Sequence, residues 1–182
     1  MIVSSTKHAS FHDTVRPLTM LAIEKLTQKL ANSTLYRFGD WPAPDLPRVS
    51  AGVYAVYDDQ EAFLYIGMAG ANLNAPAIAE KKKAGKQSGL FDRLASHATG
   101  YRSGDRFNIY IGDLFVLPQL SSVQIADIAA RKVSFDSFIK TYIRSNLSYR
   151  YIVLPNVEVR GFERYIQCEG IDGVKPLINP LG

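Results

Sequence analysis

Hydrophobic positions along the chain fall into helix-like and strand-like stretches. Residues 14–31 set Leu18, Leu21, Ala22, Leu26 and Leu30 at helical spacing, with Pro17 in a first turn that tolerates it, so an amphipathic helix is expected there. The stretch from Leu35 to Ser50 carries Pro42, Pro44 and Pro47 and reads as an irregular, partly extended connector that Trp41 anchors to the body. Two runs rich in β-branched and aromatic residues follow, A-G-V-Y-A-V-Y (51–57) and A-F-L-Y-I-G (62–67). Between them lie Asp58, Asp59, Gln60 and Glu61. A hairpin closed by that turn sets Tyr57 opposite Ala62, and so Tyr54 directly opposite Tyr65, with both side chains on one sheet face.

Residues 71–88 are small, polar and basic, which predicts a flexible loop. Ser88 is then placed as the N-cap, and Gly100 just past the end, of a helix that buries Leu90, Leu94 and Ala98. Arg93 and His97 are four residues apart on it and share a face. F-N-I-Y-I-G-D-L-F-V (107–116) reads as a third strand, followed by short helices over 121–132 and 135–145. A strand over 149–154 ends at Pro155, and a last helix over 157–169 buries Val159, Phe162 and Ile166. The expected fold is α+β: a small antiparallel sheet with three core strands flanked by helices. Residues 1–48 form a helical arm and Pro-rich connector, and 49–182 the main domain.

Composition narrows the chemistry. In 182 residues, 47% are hydrophobic, enough for one compact core, and no apolar run approaches the roughly 18–20 residues of a membrane span. The first ten residues lack the apolar block of a secretory signal, so a cytoplasmic, non-membrane protein is expected. One cysteine, Cys168, excludes an internal disulfide and a multi-cysteine zinc site; three histidines leave little for any other zinc centre. Cys168 is expected as a small packing residue, and His8 and His12 as incidental. The net charge is +4. Between Lys81 and Arg106, seven basic residues (Lys81, Lys82, Lys83, Lys86, Arg93, Arg102, Arg106) face two acids, a surplus of five, so the rest of the chain sums to −1. Such a window is either a phosphate-attracting surface or a solvated loop.

The motifs G-V-Y (52–54) and Y-I-G (65–67) resemble the GIY-YIG nuclease family, named for these tripeptides on adjacent antiparallel strands. The resemblance extends to G-L-F-D-R-L-A-S-H (89–97), like the family's arginine helix with the histidine found in some restriction-enzyme members. It ends with F-E-R-Y-I (162–166) and K-P-L-I-N (175–179), similar to the glutamate helix and the closing asparagine. It covers about residues 50–180, with an insertion at about 121–150, and the R-x-x-x-H spacing is most like the small type II restriction enzymes. The chain departs from the pattern in having Val53 for isoleucine and Ala69 where many members carry a basic residue.

The resemblance implies a Mg²⁺- (or Mn²⁺-) dependent endonuclease acting on double-stranded DNA, and it admits a homodimer. It makes Glu163 the metal ligand, Tyr54 the general base, Arg93 the phosphate grip, His97 the partner of the Tyr54 hydroxyl and Tyr65 a phosphate or water contact. Gly52, Gly67 and Asn179 would support the site, and Lys81, Lys82, Lys83, Lys86, Arg102 and Arg106 would meet the DNA backbone. Bland roles compete: packing tyrosines, a satisfied core histidine, and an Arg160–Glu163 surface ion pair, with Glu169 as a rival metal ligand. The alternative functions are a non-catalytic nucleic-acid-binding module of the same fold, or a toxin or mobile-element accessory nuclease.

Overall fold

A computed structural model describes residues 18–179. Its centre is a four-stranded antiparallel sheet in the order β1 (Tyr36–Arg37), β6 (Ser148–Val153), β3 (Gly52–Tyr57), β4 (Phe63–Ala69). β2 (Val49–Ser50) pairs separately, in parallel, with β5 (Ser88–Gly89). Among the described residues no helix is long and apolar enough to cross a membrane.

The sheet is covered on both faces, and strand alternation assigns the two cores. Tyr54, Val56 and Tyr149 point to one side, where they pack with Leu90, Leu94, Phe107, Ile111, Ile139 and Ile143. These come from α3 (Leu90–Thr99), α4 (Arg106–Ile111) and α6 (Phe135–Asn146). Val53, Ala55, Ile66 and Ile152 point to the other side, against α1 (Met20–Ala31) and α7 (Val159–Glu169). α7 buries Val159, Phe162 and Ile166, the stripe that its spacing predicts.

Residues 20–48 are integral to this body. α1 is capped by Thr19, whose side chain accepts from the Ala22 N–H, and buries Ile23, Thr27 and Leu30. Leu21, expected in the stripe, is 61% exposed because it shares the outer face with Lys25 and Gln28. The expected first turn at Pro17, and His8 and His12, lie outside the described residues. β1 extends the sheet, and Trp41 anchors the connector by packing on Phe91 and Tyr149 at 5.3 and 6.1 Å between ring centroids.

Three expected elements differ. Residues 107–116 are not a strand but α4, continued by a π-helical turn at Gly112–Val116. The Asp105 side chain accepts from the Phe107 and Asn108 N–H groups and so caps a helix start, while Phe107 and Ile111 suit a helix stripe as well as strand alternation. The third inner strand is instead β6. The 71–88 segment contains α2 (Ala75–Lys83), capped by Asn74; it buries no side chain, so it has no apolar periodicity to read. Ser88 is not the cap of α3: it pairs with Val49, and Gly89 holds the N-cap position. Gly100 ends α3 in the left-handed conformation expected of it. α5 (Ser122–Ala129) and α6 lie in the presumed insertion, yet α6 fills the core with Ile139 and Ile143, and β6 begins within it.

The hairpin register also differs. Tyr54 lies opposite Gly67, and Tyr65 opposite Val56. The Asp58 carboxylate accepts from the Gln60 and Ala62 N–H groups at 2.9 and 2.8 Å, drawing Ala62 into the turn. Val56 pairs with Tyr65 and Tyr57 with Phe63, so Leu64 is an extra residue in β4. Because Tyr65 is two residues from Gly67, the two tyrosines still share a face.

Candidate active site

The site assembles where β4, the outermost strand of the sheet, runs between α3 and α7. Tyr54 reaches across β4 above Gly67. A Cβ at Gly67 would overlap the Tyr54 hydroxyl and stand 2.9 Å from Tyr65 Cε1, so glycine is required for the ring to cross. The rings of Tyr54 and Tyr65 are 6.3 Å apart. Gly52 works differently: it sits in the strand, where a Cβ would run into the Ile152 carbonyl oxygen and Leu90, and it is a packing residue away from the pocket.

The Tyr54 hydroxyl is 2.7 Å from His97 Nε2, and His97 Nδ1 is 2.6 Å from Asp105 Oδ2. All three residues are 1–2% exposed. Asp105 also accepts from Ser96 Oγ at 3.0 Å and, through Oδ1, from the Phe107 N–H at 3.1 Å. Burial opposes ionisation of Asp105, but the hydrogen bonds from His97 and Ser96 outweigh it and hold the carboxyl below its ordinary value. An ionised Asp105 can only accept, so His97 Nδ1 carries the proton and the Nε2 lone pair accepts from Tyr54. Burial pushes His97 downward, so the imidazole is neutral at pH 7 although Asp105 pulls the other way.

Burial likewise drives the Tyr54 phenol well above its ordinary range, with Tyr65 adding to the effect and Arg93 opposing it. Tyr65 is pushed up to about 12, first by burial and then by Glu163. Neither phenol is a free base at neutral pH. The Tyr54 hydroxyl instead donates its proton in a hydrogen bond to His97 Nε2.

Tyr54, Tyr65, His97, Asp105, Arg93 and Glu163 line one pocket of about 310 Å³, and Arg106 stands at its wall. Glu163 projects from α7, one position from the buried Phe162. Burial raises its carboxyl to about 7, against Arg160, the Met68 backbone N–H and Arg93, which all favour the anion. The Arg160–Glu163 ion pair expected as the bland role is not among those within 4.0 Å. Glu169, the rival ligand, is exposed and lines a neighbouring hollow instead. Asn179 is structural: its side chain accepts from the Ile66 N–H at 2.6 Å and donates to the Ile66 carbonyl at 2.8 Å. With Leu177 and Ile178 bonded to Phe63 and Leu64, the tail covers the β4 edge that would otherwise stand open.

The basic residues divide. Lys81 lines a second hollow that shares Arg93 with the pocket. Lys82, Lys83 and Lys86 are exposed at and beyond the end of α2. Arg102 is occupied, bonded to Asp136 at 2.7 Å and stacked on Phe135 at 4.7 Å, so it is a structural cation. Cys168, expected to pack, is exposed, since it is two positions from Ile166 and off the stripe. Asp105 is not among the residues that the motifs single out. Its signal in the sequence is its place as a cap before F-N-I-Y-I, which the strand-like alternation of that run masks.

Among the described residues no three His, Cys, Asp or Glu side chains cluster as a metal cage. Comparison of the chain with models of known families, with curated proteins and with solved structures finds no match.

Proposed function

We propose that this protein is a Mg²⁺-dependent endonuclease that hydrolyses phosphodiester bonds in double-stranded DNA, as the resemblance to GIY-YIG nucleases implies, with site-specific restriction as its role. The observation that carries the reading is the buried Tyr54–His97–Asp105 chain opening onto the same pocket as Arg93 and Glu163. A packing tyrosine needs none of this, whereas hydrolysis needs a proton acceptor, a cation for the phosphate and a carboxylate for a metal.

The steps follow from the side chains. A water beside Tyr54 gives a proton to the phenol oxygen as the phenol proton passes to His97 Nε2, and the hydroxide adds to phosphorus in line with the P–O3′ bond, which breaks, the departing 3′ oxygen taking a proton from solvent water. Asp105 keeps the imidazole in the accepting tautomer and stabilises the imidazolium that forms. Arg93 is permanently charged and binds the phosphate oxygens. Tyr65 stands beside Tyr54 and orients the water or the phosphate. Glu163 fits a hard cation: one partly buried carboxylate suits Mg²⁺, which keeps several waters and takes its other ligands from phosphate. When bound, the ion supplies charge neutralisation at the phosphate and the leaving 3′ oxygen.

The test is digestion of supercoiled plasmid with Mg²⁺, Mn²⁺ or EDTA by wild type, Tyr54→Phe and Glu163→Gln. Cutting by wild type with metal alone, and its loss in both variants, is expected. Wild type that binds DNA but never cuts would instead mark a binding module. Equal cutting by Glu163→Gln would move the metal ligand to another acid.

A further inference from the structure

A hollow of about 690 Å³ lies between α7 and the C-terminal tail, with Glu163 on the wall that it shares with the active-site pocket, and Tyr54 does not line it. Arg160, Arg164 and Lys175 line it together with Cys168 and Asn179. All three cations are exposed. Among the described residues, none of them makes an ion pair within 4.0 Å, although Glu163 and Glu169 line the same hollow.

Exposed cations are ordinarily just solvated, so charge alone decides nothing here. Position decides. The hollow shares Met68 and Glu163 with the active-site pocket, and that pocket shares Arg93 with the hollow beside Lys81. Three concavities therefore lie in series, with the catalytic pocket in the middle. A strand whose scissile phosphate sits at Arg93 and Glu163 must leave the pocket on both sides. The Lys81 side belongs to the basic window, whereas the α7 side lies outside it. Arg160 and Arg164 are four residues apart on α7, a rise of about 6 Å, against about 3.4 Å of axis per phosphate on one strand.

Resting on the nuclease reading, we infer that this hollow seats the sugar–phosphate backbone of the substrate strand beyond the scissile phosphate, with Arg160, Arg164 and Lys175 as its phosphate contacts. Arg160 has a second task, since its charge also favours the anionic form of Glu163. Arg164 and Lys175 are therefore the cleaner pair to remove.

Binding of a short fluorescein-labelled duplex in EDTA is followed by anisotropy across about 50–200 mM salt, for wild type, Arg164→Ala/Lys175→Ala and the control Lys25→Ala on the outer face of α1. Each lost phosphate contact lowers the slope of log K against log salt by about 0.9, so the double variant should lose about 2 and the control nothing. Cys168, the one cysteine of the chain, gives a second readout on the unaltered protein, because its wall should be shielded from maleimide by saturating duplex. An unchanged slope together with an unchanged alkylation rate, in a protein that binds and cuts DNA, overturns this inference and leaves the nuclease reading standing. No duplex binding by any form overturns both.

Discussion

Asp105→Asn removes one charge and almost no volume from the buried relay. The new amide can turn its oxygen to the Phe107 and Asn108 N–H groups and its NH₂ to Ser96 and His97, so every contact of Asp105 keeps a partner. The chain's direction, however, reverses. His97 Nδ1 must accept from the amide, its proton moves to Nε2, and Nε2–H points at a Tyr54 hydroxyl 2.7 Å away. Tyr54 then has no acceptor for its proton. General-base catalysis contributes roughly 10²–10⁴ in rate, so single-turnover cleavage should fall by that factor, about 3–5 kcal/mol of barrier. Losing charge-assisted character at these bonds should lower stability by only about 1–3 kcal/mol. Asp105 also raises His97's proton affinity, so its loss should shift the acid limb of the pH–rate profile to lower pH while the plateau collapses. Duplex affinity in EDTA should be unchanged. A variant that cuts within a few-fold of wild type, or that loses rate only in proportion to DNA binding, would refute the relay.

Three further outcomes follow from the same geometry. Glu163 is raised from 4.5 to about 7 in the fold, so its contribution to stability is full below pH 4.5 and lost as pH rises through about 7. In EDTA, Glu163→Gln should therefore melt higher than wild type above pH 7, by roughly 1–2 kcal/mol after allowance for partial exposure, and match it below 4.5. His97 is held below its ordinary 6.5, which makes its contribution present above that value and lost as pH falls from there; Asp105, held below 3.8, adds a second loss further down. Thermal midpoints of wild type against His97→Gln should diverge most at neutral pH and converge on acidification below 6.5. Asn179→Ala leaves the N–H and C=O of Ile66 without protein partners and should lower stability by about 1–3 kcal/mol in denaturant melts, and an unchanged midpoint would remove its role at the β4 edge.

How much was legible in the sequence depended on whether a residue's role was local. α3 and α7 could be read because their buried stripes recur at helical spacing and Gly100 marks one end. The tyrosine pair was legible as a shared face, since that needs only two strands and a turn. The register was not, because the Asp58 turn and the extra Leu64 in β4 shift it without leaving a composition signal. α2 is not legible because a helix that buries nothing has no apolar period. Asp105 was hidden twice: it lay among the basic residues of the 81–106 window, and its capping role belonged to a helix read as a strand. That cap starts α4 directly beside the last turn of α3, where His97 stands.

The most direct measurement is single-turnover cleavage of a defined duplex as Mg²⁺ is titrated, with product ends mapped, for wild type and Glu163→Gln at matched duplex occupancy. A hydrolytic site built on Tyr54, His97 and Glu163 predicts saturable, metal-dependent scission by wild type that leaves 5′-phosphate and 3′-hydroxyl ends, with the rate of Glu163→Gln lower by orders of magnitude. Duplex that stays intact at saturating protein and metal, despite full occupancy, would contradict it.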